Sequence, residues 1–220
     1  MSSSDRAASV AARTRRSAEE RTDRAAAEAS AASAPPAAPL VLASTSPQRR
    51  AILEQLAIPF EVVAPRYEEH DPPDADPVAL VREHARGKAR SVASEAGGRP
   101  VLGVDTTVVL EDRVYGKPAD AADAERMLAE LSGRTHEVVS GLCLITEGRE
   151  VVETETTRVS FRALTPGEIA AYLATGEWEG RAGGYAIQGR GAALVERIEG
   201  DYLNVVGLPG ALLLRILASR

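Results

Sequence analysis

The heptapeptide Ser44-Thr45-Ser46-Pro47-Gln48-Arg49-Arg50 sets two guanidinium groups at a helix start, directly after the apolar run Leu40-Val41-Leu42-Ala43. Ser46 suits the N-cap, and Pro47 suits the first helical position, where its missing N–H has no intrahelical partner to lose. Free amides of the first turn and the positive end of the helix dipole attract phosphate, and arginine adds bidentate donors. An ordinary capped helix with two solvated arginines has the same seven residues, so the anion-binding reading needs other groups to converge there. Asp105 is the first of these. It interrupts the apolar run 101 to 110, where an unpaired carboxylate is costly, so it must meet a cation, a donor cluster, a metal or water. Either it forms a structural salt bridge to an arginine or, flanked by Gly103, Thr106 and Thr107, it ends a strand at a cleft and does chemistry there.

Lys117, in Gly116-Lys117-Pro118, stands on a rigid turn that suits an ammonium to a phosphate. Lys88 follows Gly87 inside a helix, where glycine costs about 1 kcal/mol and admits a ligand or a closely packed strand. A solvated charge and a simple packing accommodation are the alternatives for this pair. Glu68-Glu69 either hold Mg²⁺ or keep an acidic loop wet. His70, His84 and His136 lack paired metal-ligand spacing and read as surface or capping groups.

The elements that must position these groups alternate between strand and helix. A helix over residues 47 to 56 presents Ile52, Leu53 and Leu56, and a strand over 60 to 63 follows. Residues 66 to 77 form an acidic, Pro-rich loop. Asp76-Pro77 then opens a helix to about 95 with the inner stripe Val78, Val81, Ala85, Ala89 and Val92. The run 101 to 110 is a central strand covered on both faces. Beyond it come a helix over 121 to 131, a hairpin of strands 137 to 145 and 151 to 161, and a capping box at Thr165-Pro166-Gly167-Glu168 opening a helix to about 175. A glycine-laced loop over 183 to 191 leads into a strand over 193 to 198, and a last helix from Pro209 carries Leu212, Leu213 and Leu214. This order implies an α/β fold around a mixed sheet.

Composition narrows the function. The 220 residues carry a formal net charge of -6, which argues against a broad nucleic-acid surface, and no window is apolar enough to span a membrane. A soluble globular protein is expected. Cys143, the single cysteine, allows no intrachain disulfide or cysteine metal cluster; this suits a reducing cytoplasm, and its apolar neighbours predict a buried strand position. Residues 1 to 39 are rich in Ala, Ser and Arg, with Val10 the only large aliphatic side chain beyond Met1. They are expected to be a disordered tail, or the product of a start placed too early. A transit peptide is the alternative, although its basic character is diluted by Asp5, Glu19, Glu20, Asp23 and Glu28.

Eight stretches in order carry a resemblance: Leu42 through Arg50, Tyr67-Glu68-Glu69, Lys88, Gly103-Val104-Asp105-Thr106, Gly116-Lys117-Pro118, Leu131 through His136, Ala186-Ile187-Gln188-Gly189 and Asn204 through Pro209. Together they resemble the Maf family of nucleoside triphosphate pyrophosphatases from Leu40 to the C-terminus. The resemblance implies an elongated mixed sheet flanked by helices, two lobes around a central cleft as in inosine triphosphate pyrophosphatases, and a homodimer. It also implies hydrolysis of a nucleoside triphosphate by water to monophosphate and pyrophosphate, with Mg²⁺ or Mn²⁺, as house-cleaning of the nucleotide pool. Because the family is associated with arrest of septum formation, a nucleotide-binding regulator is the alternative. Carried over by the resemblance, Asp105 is the proton acceptor, with a metal-ligand role as the alternative, and Ser44, Arg49, Glu69, Lys88 and Lys117 contact phosphate or metal; Arg50, one position beyond the arginine carried over, reads as a supporting charge. Gln48, Thr106 and Gln188 fall where subfamilies differ in base specificity. Thr106 and Gln188 are similar to the dTTP/UTP group, which typically has arginine where Gln48 stands; the 7-methyl-GTP group carries an aromatic residue, Gln and Glu at the three positions. One donor and one acceptor on the Gln188 amide match a uracil or thymine edge, whereas guanine's adjacent donors favour a carboxylate.

Overall fold

The apolar run around Asp105 forms the central strand β3 (Val101–Leu110) of a seven-stranded mixed sheet. The computed structural model describes residues 38–72, 75–147 and 149–219, so the expectations for residues 1 to 37 lie outside the described residues. Strands β1 (Leu40–Leu42) and β2 (Phe60–Val62) pair in parallel, and β1 also runs parallel to β3. On its other side β3 pairs antiparallel with β5 (Thr135–Thr146), which forms the predicted hairpin with β6 (Arg149–Phe161). The last strand, β7 (Val195–Glu199), adds antiparallel to β6, and β4 (Arg113–Tyr115) folds back on the far end of β3.

Alternation along β3 divides its side chains between two helical layers. On one face, Ala85, Ala89 and Val92 of α2 (Pro77–Ala93) pack on Val41, Val101 and Cys143. On the other, Ile52 and Leu53 of α1 (Pro47–Gln55) join Leu212 and Leu213 of α6 (Gly210–Ala218) against Leu102, Val104 and Leu142. Beyond Val108, helices α3 (Ala121–Leu131) and α4 (Pro166–Leu173) close a second core around Leu128, Phe161 and Tyr172. The capping box at Thr165 and Glu168 forms as its spacing predicts, and Asp76 caps α2 by accepting from the Ala79 amide. The glycine-laced loop contains two 3₁₀ turns, Ala182–Gly184 and Arg190–Leu194. A short helix that the sequence pattern does not announce, α5 (Tyr202–Val206), precedes α6.

Two glycines let α2 lie unusually close to the sheet. A Cβ on Gly103 would collide with the Ala85 carbonyl and come within 2.8 Å of the Ala89 amide nitrogen; one on Gly141 would collide with the Val81 carbonyl. Asp105 pairs with Gly141 across the ladder, and Gly103 lies two residues before it on the same face. The carboxylate thus sits directly beneath the helix. Along its opposite edge, β3 pairs with β1 up to Leu102 and with β4 from Val108 onward. Among the described residues none lies in a strand beside 103–107 there, and this opening is the cleft. Asp105 lies mid-strand beside that gap instead of ending the strand as expected.

Expectations about burial change at Val78, His84 and His136. Val78 is 40% exposed, because the turn just after the cap faces solvent, and Leu214 lies on the open side of α6. His84 and His136 are buried, not surface or capping groups. His84 is drawn inward by polar partners on the acidic loop. His136 enters an aromatic cluster edge-on to Phe161 and Tyr185, its Nε2 2.9 Å from the Tyr185 hydroxyl and its Nδ1 without a partner among the described residues.

Gly103→Ala is expected to destabilise the fold toward the upper end of the roughly 1–3 kcal/mol that overpacking costs, because the colliding atoms are backbone, and the urea midpoint measures it. Burial lowers the His136 pKa from 6.5 to about 4. Between those values the unfolded chain binds a proton that the folded chain refuses, so stability falls as pH drops from 6.5 toward 4, with a slope approaching about 1 kcal/mol per pH unit. Urea midpoints across that range are expected to lose this component in His136→Gln.

Candidate active site

Lys88 joins the two acidic groups. Its Nζ lies 2.6 Å from Asp105 Oδ1 and 2.6 Å from Glu69 Oε1, while its side chain is only 8% exposed. The cation that Asp105 requires is therefore this lysine, delivered from α2 across the Gly103 contact, and not an arginine. Burial pushes the Asp105 carboxyl upward, but Lys88 and Arg49 outweigh that and hold it below its ordinary value of 3.8, with His84 adding to the effect. Asp105 is a carboxylate at any physiological pH.

Arg49 stands on the opposite wall, in the first turn of α1. Its Nε donates to the Gly207 carbonyl at 3.0 Å, its Nη1 to Ser44 Oγ at 3.1 Å and its Nη2 to Thr106 Oγ1 at 3.5 Å. Thr106 in turn bonds Ser140 Oγ at 2.8 Å, so one guanidinium is fixed by the turn after β1, by β3 with β5 behind it, and by the turn after α5. Ser46 occupies the N-cap but makes no capping bond; its hydroxyl donates to Gln48 Oε1 at 3.0 Å, leaving the amide nitrogen of Gln48 as the end that can still donate. Without that cap, the helix start keeps its first-turn donors for an anion.

These groups line a cavity of about 1100 Å³. Lys117 and Gln188 line it too, from the β4 turn and the glycine-laced loop, which is held to that turn by the Gly183 amide donating to the Gly116 carbonyl at 3.1 Å. Gln188 sits on a turn anchored by Tyr172, whose hydroxyl accepts from the Ala186 amide at 2.9 Å. Ser44, Gln48, Arg49, Glu69, Lys88, Asp105, Thr106, Lys117 and Gln188 thus share one cavity, whereas Arg50 is exposed and lies outside its lining.

Two lining residues were not singled out by the sequence. His84 is one turn before Lys88, a spacing that puts both on one face of α2, and its polar partners could have been sought there. Arg181 lies two residues before the left-handed glycine pair 183–184, and its Nε is buried without a hydrogen-bond partner among the described residues. A guanidinium in that condition lacks an acceptor that a bound anion or carbonyl supplies.

For a divalent cation, the donor set is two carboxylates meeting at one ammonium. Among the described residues no group of three or more His, Cys, Asp or Glu side chains is placed to hold a metal. Two carboxylates are a donor set that Mg²⁺ can use, since it commonly takes one or two carboxylates and completes its shell with water and phosphate oxygens.

Comparison with known proteins places the chain among its relatives. The family model for Maf-like protein matches residues 39–220. The dTTP/UTP pyrophosphatase of Gloeobacter violaceus is 51% identical over 180 residues, covering 82% of this chain and 95% of that protein. Those of Moorella thermoacetica and Nitratidesulfovibrio vulgaris are 52% and 49% identical, covering 77% and 83% of this chain and 89% and 88% of their own. With the family model spanning everything after residue 38 and such relatives matching over most of their length, this chain belongs to the Maf-like protein family.

Proposed function

We propose that this chain is a nucleoside triphosphate pyrophosphatase that hydrolyses dTTP and UTP to the monophosphate and pyrophosphate, with Asp105 as the proton acceptor. The carrying observation is the buried Asp105–Lys88–Glu69 cluster facing Arg49 across a cavity that also takes in Lys117 and Gln188. The names of the relatives support the same reaction and the same pair of bases.

Asp105 orients a water toward the α-phosphorus and accepts its proton as the new P–O bond forms, while the bond to the bridging oxygen breaks and pyrophosphate departs. Lys88 keeps that carboxylate ionised, so the base is ready without first losing a proton. Arg49 and Lys117, with the uncapped start of α1, hold the triphosphate and stabilise charge on the leaving pyrophosphate. Glu69 and Asp105 are the residues to hold Mg²⁺ or Mn²⁺, which when bound neutralises phosphate charge and lowers the pKa of the attacking water. Gln188 reads the donor and acceptor of the pyrimidine edge. Gln48 retains the donating role of the arginine it replaces, since Ser46 occupies its carbonyl and leaves the amide N–H₂ for a base oxygen.

Pyrophosphate release measured on a panel of nucleoside triphosphates with Mg²⁺ or Mn²⁺ is expected to be fastest with dTTP and UTP. Binding without turnover would instead support the regulatory reading. Asp105→Asn is expected to lower kcat by at least about 100-fold with no loss of melting temperature; an unchanged kcat removes Asp105 from the mechanism. On the acid side, kcat/KM should stay flat down to the pH at which the protein unfolds. Lys88→Met removes the cation that depresses the Asp105 pKa, so an acid limb should enter the measurable range, and its absence would show that Lys88 does not tune the base.

A further inference from the structure

Tyr67 holds a position that neither the sheet nor the substrate demands of it. Its ring lies over Gly87, where a Cβ would collide with ring carbons Cε2 and Cδ2 and come within 2.6 Å of Cζ. Its hydroxyl is 3.1 Å from His84 Nδ1, and His84 Nε2 is 2.7 Å from Asp71 Oδ1. The Tyr67 and His84 rings also meet edge to face, centroids 5.6 Å apart. Two side chains of the acidic loop, at 67 and 71, are therefore tied to one buried histidine of α2. Glu69 lies midway between them, and Lys88, which its carboxylate contacts, is one helical turn beyond His84.

We propose that Tyr67, seated in the notch at Gly87 and bonded to His84, is a positioning residue for Glu69, and that it sets how tightly the Glu69 and Asp105 carboxylates take a divalent cation. The proposal rests on the assignment of Glu69 as a metal-holding residue. A glutamate carried on an irregular loop must otherwise lose the freedom of that loop each time it binds, and an anchor on either side removes most of that loss beforehand. The helix supplies the notch, the histidine and the lysine at successive positions of one face, so loop and ammonium are placed by a single rigid body.

Gly87→Ala closes the notch without altering any loop residue or any group in the cavity. Alanine is also the better helix former, so the variant is expected to keep the melting temperature of the protein while weakening metal binding. Titration with Mn²⁺ alone, followed by the electron paramagnetic resonance of free Mn²⁺, should show affinity lower by about tenfold, the lesser end of what supporting residues usually contribute. Tyr67→Ala should give a similar loss, and the double variant should lose no more than either single one, because both remove the same anchor. Tyr67→Phe, which keeps the ring but not the bond to His84, should fall between. Glu69→Gln separates the two assignments. If it weakens Mn²⁺ binding while Gly87→Ala and Tyr67→Ala do not, the anchor is overturned and Glu69 stands; if it has no effect, the assignment of Glu69 fails and the anchor fails with it.

Discussion

The close approach of α2 to the sheet at Gly103 and Gly141 is the contact on which the site depends. The amino group of Lys88 meets the middle of the central strand from a helix that lies nearly backbone to backbone with it, an approach that a side chain at either glycine would push apart. The small residues Ala85 and Ala89 continue the same seam on the helix side. Packing and chemistry are thus one arrangement, for the residues that close the core also fix where Lys88 meets Asp105.

Charge in the cleft is balanced locally. Glu69 and Asp105 share the ammonium of Lys88, and the guanidinium of Arg49 is braced by a carbonyl and two hydroxyls instead of by a carboxylate. Among the described residues no carboxylate hydrogen-bonds this guanidinium, so Asp105 and Glu69 act on its charge only through space and its charge stays available to an incoming anion. The acidic and basic walls therefore do different work. One keeps a base ionised, while the other lowers the electrostatic cost of bringing in a highly charged phosphate chain.

Much of this was legible in the chain itself. Asp105 announced a buried partner by its place in an apolar run, and the alternation of helix and strand gave the mixed sheet. Gly87 was marked as a position that something must approach closely. What approaches it, a tyrosine from an adjacent loop, depends on a tertiary contact 20 residues away that no local pattern encodes. The buried histidines were missed for the same reason, since a histidine's environment is set by which polar groups and rings converge on it in space. Ser46 shows a subtler limit: its type fits a cap, but a neighbouring amide competes for the hydroxyl and wins.

The gap beside residues 103–107 has a consequence for the chain's behaviour in crowded solution. An unpaired stretch of a central strand is a template on which another polypeptide can add a strand, the first step of edge-to-edge aggregation. Here the unpaired stretch is cut short by β1 at one end and β4 at the other, and it is overhung by an ammonium, two carboxylates and a guanidinium. An approaching strand would have to strip water from all of them. The charges that make the opening a place for phosphate also make it inhospitable to a stray β-strand, so the same residues guard the sheet that they equip.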